Sequence, residues 1–163
     1  MGGDDFVNRY GCIYEHSPWV AKRVQILLDG RAVDVERLTS LMADCVDNAS
    51  VETQLELIRA HPDLAGKAQV AGELTADSTL EQSSAGLDQC TAEEFEKLQA
   101  LNAEYKEKFG MPFIMAVRQS TRREIIQAFS IRLENDYSSE FETALQEIHK
   151  IAGLRLAALE DSQ

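Results

Sequence analysis

Apolar residues recur at three- and four-residue spacing along most of the chain, and helix start and stop signals fall between these stripes. Ser17-Pro18 reads as an N-cap and first helical residue ahead of Trp19, Val20 and Val24. Asp34 is placed to cap a helix bearing Val35, Leu38, Leu41, Met42 and Val46. Ser50 opens another, with Leu55 and Ile58 on one face. That helix must stop near His61-Pro62, because proline pushes the residue before it out of the helical region. Thr91 and Glu94 form a capping box before Phe95, Leu98, Leu101, Tyr105 and Phe109, and Gly110 is suited to close the helix. Thr121 and Glu124 repeat the box before Ile125, Ile126, Phe129 and Leu133. A last helix is predicted from about Ser138 to Leu159.

Only PFIMAV, Pro112 to Val117, reads as extended. It has no partner strand of similar quality and is predicted to be a buried connector. There is no repeat of fixed period and no linker rich in Pro, Gly or Ser. The pattern predicts an all-α fold, a single compact bundle-like domain over residues 1–163 with about seven or eight helices.

Composition narrows the partners. The 163 residues suffice for one sizeable core, and a hydrophobic fraction of 44% is ordinary for a globular chain. A net charge of -12 argues against nucleic acid and anionic membranes as partners, although local positive charge can still serve a small anion. Cys12, Cys45 and Cys90 are odd in number and lack a CxxC spacing, so neither a disulfide framework nor a zinc site is expected. A reducing compartment fits them. No stretch resembles a signal peptide or a membrane span, and a cytoplasmic location is expected. The chain contains no phosphate loop, GxGxxG, GxSxG or HExxH.

One residue breaks the apolar pattern. Phe141, Ala144, Leu145, Ile148, Ile151 and Ala152 form a stripe whose next in-phase position is Arg155. A guanidinium stays charged, so on a core face it needs a carboxylate or a route to water. It can snorkel from the helix end, or it can hold a substrate carboxylate with its planar fork.

His61 is presented from a turn by Pro62, and an imidazole suits general acid or base work. Read alone, it is as well explained as a helix stop. Ser78 and Glu81 match an S-x-x-E capping box, which on spacing alone is the better reading, and Gln82 adds a neutral donor and acceptor next door. His16 is expected to be local to the Ser-Pro start, with Trp19 as a core anchor, and His149 to be a solvated side position. His61 and Asp63 are too few for a metal site.

Five stretches, taken in order, carry a resemblance: YEHSPWV, RAHPDLAGK, STLEQSSAGL, LNAEYKEKFGMPFIMAV and IAGLRL. Together they resemble the 2-oxo-4-hydroxy-4-carboxy-5-ureidoimidazoline (OHCU) decarboxylases of urate breakdown, from about Asp5 to Leu156. Few residues precede Phe6, so the first segment of that family is expected to be shortened here. The resemblance implies an all-helical homodimer, without metal or organic cofactor, that converts OHCU to (S)-allantoin and carbon dioxide. It further implies a functional link to urate oxidase and 5-hydroxyisourate hydrolase. It implies that His61 is catalytic, that Glu81 is the neighbouring carboxylate and that Arg155 binds substrate. Pro62, Ser78, Gln82, Phe113, Ile114, Met115 and Val117 match the remaining pocket positions. For Ser78 and Glu81 this implication overrides the capping box.

Two alternatives compete. One is a lyase or hydrolase acting on another ureido acid. The other is a non-catalytic helical module for a ligand or partner, which predicts an exposed apolar patch and an Arg155 paired with a protein carboxylate.

Overall fold

The computed structural model describes residues 3–64, 74–118 and 120–161. Residues 65–67, which end the RAHPDLAGK stretch, lie outside the described residues. Every regular element among the described residues is helical, as the apolar periodicity predicts. The helices are α1 Gly3–Tyr10, α2 Trp19–Leu28, α3 Val35–Asp47, α4 Val51–Arg59, α5 Ala76–Ser84, α6 Ala92–Phe109, α7 Arg122–Arg132 and α8 Tyr137–Asp161, with a 3₁₀ turn at Leu87–Gln89. No helix among the described residues is long and apolar enough to cross a membrane.

The chain divides into two compact units, Met1–Ala60 with Ile148–Gln163, and His61–Glu147. In the first, the local start signals behave as the sequence predicts at two helices. Asp34 accepts from the Arg37 N–H at 2.7 Å and Ser50 from the Thr53 N–H at 3.1 Å, each satisfying a donor that the first helical turn leaves free. The start of α2 differs. Ser17 turns its hydroxyl back to donate to the Glu15 carbonyl at 3.0 Å, and α2 begins at Trp19 without a side-chain cap. Trp19 is not a core anchor either: it is half-buried, with the Arg23 guanidinium 4.9 Å above its ring. The core instead holds Val20, Val24, Leu38, Met42, Val46, Leu57, Ile58, Ile148 and Leu156, all buried, with Phe6 and Tyr14 as its aromatic members.

In the second unit both capping boxes form, at Thr91 with Glu94 and at Thr121 with Glu124. Gly110 closes α6 at a φ of 69°, a left-handed conformation that glycine adopts without a Cβ clash. The cap of α5 is not Ser78. Thr75 caps it, accepting from the Ser78 N–H at 3.2 Å, so Ser78 lies inside the first turn and Glu81 in mid-helix. An extended backbone at Thr75, with ψ 161°, makes it the better-placed hydroxyl.

Pro112 to Val117 forms no strand and runs as the buried connector expected. Its apolar run is explained by what it packs on. The Phe113 ring stacks on Phe129 with centroids 3.7 Å apart and meets the Tyr105 ring edge-on at 5.3 Å.

Candidate functional site

His61 follows the end of α4 and is buried, at 8% exposure. Its turn is anchored from two helices. Gln82 of α5 donates its amide to the Asp63 carbonyl at 3.2 Å, and Asn102 of α6 donates to the Leu64 carbonyl at 2.9 Å. One helical turn beyond Asn102, Lys106 pairs with the Asp63 carboxylate at 2.5 Å. A buried turn cannot satisfy its carbonyls with water, so these amides fix its conformation. The Gln82 bond also ties the turn carrying His61 to the helix carrying Glu81. Pro62 and Glu81 are half-buried, whereas Ser78 and Gln82 are buried.

The connector is anchored in the same unit. Arg132 donates to the Ile114 carbonyl, and Glu147 accepts from the Ala116 N–H at 3.2 Å. Arg132 also lies 4.3 Å above the Phe113 ring and pairs with Glu140 at 2.8 Å. Glu140 is fully buried and accepts further bonds from the Tyr105 hydroxyl at 2.6 Å and the Asn135 amide at 2.9 Å. Burial, and then the bond to Glu140, push the Tyr105 phenol above its ordinary pKa, so it remains a donor. Phe113, Ile114 and Val117 are buried and Met115 half-buried. The segment therefore has an anchored backbone, with Phe113, Ile114 and Val117 in the core.

Arg155 belongs to the other unit. It is buried at 5% exposure and pairs with the equally buried Glu15 at 2.9 Å, while its second amino group reaches the carbonyls of Cys12 and Ile13 at 3.3 and 3.4 Å. The residue neither snorkels nor lies on the surface. Sequence reasoning did not single out Glu15, although an in-phase core arginine demands a carboxylate and Glu15 sits in the YEHSPWV stretch. The same pairing is what the binding-module alternative requires. His149 is not a solvated side position: its ring is held between Tyr14 and Asp47 at 2.8 and 2.9 Å.

A cavity of about 740 Å³ in this unit is lined by Phe6, Tyr10, Ile26, Asp29 and Arg31 among others, and by none of the expected site residues. Among the described residues no group of three or more His, Cys, Asp or Glu side chains could hold a metal ion. Cys12, Cys45 and Cys90 form no disulfide among the described residues. Burial pushes the Cys45 and Cys90 thiols above their ordinary pKa, away from the thiolate form.

Comparison with known proteins decides between these readings at the level of family. The family model described as OHCU decarboxylase matches residues 1–157. The chain belongs to the OHCU decarboxylase family. The 2-oxo-4-hydroxy-4-carboxy-5-ureidoimidazoline decarboxylase of Haloferax volcanii is 46% identical over 96% of this chain and 90% of its own length. The fold agrees with a crystal structure of (S)-allantoin synthase, at a TM-score of 0.77 and 29% identity, covering 98% of this chain and 51% of that one. It also agrees with an OHCU decarboxylase crystallised in the presence of (S)-allantoin, at a TM-score of 0.72 and 27% identity, covering 97% of this chain and 98% of that one.

Proposed function

We propose that this chain, a carboxy-lyase of the OHCU decarboxylase family, converts OHCU to (S)-allantoin in urate degradation, with His61 as general acid and base, Glu81 as its partner and Arg155 as the substrate anchor. The observation that carries the reading is the His61 turn, buried, fixed at two carbonyls and tied by Gln82 to the helix bearing Glu81. Such anchoring fits an imidazole that must meet a substrate atom in one orientation.

The reaction needs a place for the electron pair of the breaking C–C bond. The OHCU ring holds a C=N bond beside the carbon that bears both carboxylate and hydroxyl. As carbon dioxide leaves, the pair moves into the ring, forming a C=C bond to the former imine carbon, and the ring nitrogen takes a proton. The resulting enol loses its hydroxyl proton to become the lactam carbonyl, and the former imine carbon takes a proton on one face. Net uptake is one proton per carboxylate lost. His61 moves protons at the hydroxyl and the carbon, and Glu81 orients the imidazole and sets its charge. Delivery to one face sets the handedness of the product.

Glu15 sharpens the role of Arg155. A guanidinium already neutralised by a buried carboxylate offers directed N–H donors with little net charge. It orients the substrate without clamping the departing carboxylate, and such a clamp would stabilise the ground state and slow the reaction. Pro62, Ser78, Gln82 and the segment of Phe113, Ile114, Met115 and Val117 complete the pocket, and the assembly is a homodimer without metal or organic cofactor.

The test is substitution at the proton-transfer pair. His61→Ala and Glu81→Ala each lower turnover of freshly generated OHCU by roughly a hundredfold or more, the usual worth of an acid–base residue. Near wild-type turnover in folded His61→Ala protein would remove the mechanism.

A further inference from the structure

The residues around Glu15 form a strained turn. His16 is a non-glycine residue at a φ of 50°, a conformation that persists only where the surroundings enforce it. Ser17 closes the turn, its N–H donating to the Tyr14 carbonyl at 3.0 Å and its hydroxyl to the Glu15 carbonyl at 3.0 Å. Two neighbouring side chains leave this turn and grip α8 at separate points. Glu15 meets Arg155 at 2.9 Å, and the Tyr14 hydroxyl lies 2.8 Å from Nδ1 of His149. At ~1.5 Å per helical residue the two grips are about 9 Å apart along the axis, enough to fix the turn in orientation as well as in place.

The His149 ring is held from its far side by Asp47, with Nε2 2.9 Å from Oδ1. A carboxylate only accepts, so Nε2 carries a hydrogen towards Asp47, while Nδ1 pairs with the Tyr14 hydroxyl. Burial, and then the Asp47 charge, push the Tyr14 phenol above its ordinary pKa. The phenol therefore keeps its proton. Tyr14, His149 and Asp47 form one continuous hydrogen-bonded chain.

We infer that this chain is a positioning device for the Glu15–Arg155 pair: Tyr14, oriented by His149 and Asp47, fixes the strained turn so that Glu15 holds Arg155 in the orientation that receives substrate. The inference deepens the proposed function and rests on its reading of Arg155 as the substrate anchor. Tyr14, at 2% exposure, is a positioning residue and acts through Glu15.

Tyr14→Phe removes one hydroxyl and keeps the ring, and two readouts on the full chain test it. Nitrogen-15 NMR, without substrate, is expected to show a hydrogen on Nε2 of His149 in the wild type. In the variant the Arg155 side-chain N–H signals exchange about three- to tenfold faster, the factor that one net hydrogen bond supports. With OHCU, Tyr14→Phe raises KM about three- to tenfold with kcat within about twofold, and it adds nothing to Glu15→Gln in the double variant. Unchanged Arg155 exchange in folded Tyr14→Phe protein overturns the inference whatever the turnover. KM effects that multiply with those of Glu15→Gln overturn it as well. Faster Arg155 exchange in a protein that never turns over OHCU supports the positioning chain and removes the proposed function instead.

Discussion

Arg132 and Arg155 are both buried, and each meets a buried carboxylate, Glu140 at 2.8 Å or Glu15 at 2.9 Å, but the surroundings of the two pairs differ. The first is embedded in regular structure. Glu140 lies in α8 and accepts from Tyr105 of α6 and from Asn135 as well as from Arg132, and Arg132 reaches on to the Ile114 carbonyl. The second joins a helix to a strained turn, and the arginine's carbonyl contacts are long, at 3.3 and 3.4 Å. A buried ion pair seldom stabilises a fold by itself, because desolvation offsets the attraction. The Arg132 pair owes its place to the polar groups it satisfies around the connector. Under the proposed function, the Arg155 pair is retained for what the guanidinium binds.

Replacing each pair by apolar residues separates these roles. Arg132→Met with Glu140→Leu strands the buried Tyr105 hydroxyl and Ile114 carbonyl, at roughly 1–3 kcal/mol for each group. The melting temperature is expected to fall by roughly 10 °C or more in a chain of this size. Arg155→Met with Glu15→Leu is expected to leave the melting temperature unchanged or raised, as apolar replacement of buried pairs commonly does. The same double variant should lose about ten- to a hundredfold in kcat/KM for OHCU, the worth of hydrogen bonds from a charged group. Melting curves and steady-state kinetics on both double variants check this, and the reverse pattern would break the comparison.

Smaller effects sharpen it at the helix ends of the second unit. Thr91→Ala removes an N-cap and should cost about 1 kcal/mol, read as a drop in melting temperature. Its partner Glu94 has a pKa held below the ordinary glutamate value, first by the Thr91 N–H and then by Arg122. A depressed carboxylate contributes stability above its unfolded-state pKa and loses it as pH falls through the folded-state value. The difference in melting temperature between wild type and Glu94→Gln should therefore be full at neutral pH and vanish in acid, below the ordinary glutamate range. A difference that grows on acidification would reverse the sign.

These contrasts also explain what was legible in the sequence. Caps at Asp34, Ser50, Thr91 and Thr121 were readable because donor and acceptor lie three residues apart. The same rule misassigned the start of α5, where Thr75 and Ser78 are both hydroxyl residues three positions from a plausible partner, and backbone geometry chose Thr75. Arg155 was visible because it interrupts an apolar stripe. Arg132 was hidden, since an arginine in the last turn of a helix looks like an ordinary dipole partner. Its signal was phase: it lies seven residues after Ile125 and three after Phe129, on the buried face. The Tyr14–His149–Asp47 chain has no local signal at all, because its bonds span 135 and 102 residues. Hydrogen-bonded clusters of that kind are set by tertiary packing, and a periodicity reading cannot reach them.

The most direct measurement is the handedness of allantoin formed when the wild-type chain meets freshly generated OHCU. One-faced proton delivery predicts (S)-allantoin, optically active and formed faster than by spontaneous decay. Racemic allantoin accumulating at the uncatalysed rate would contradict it.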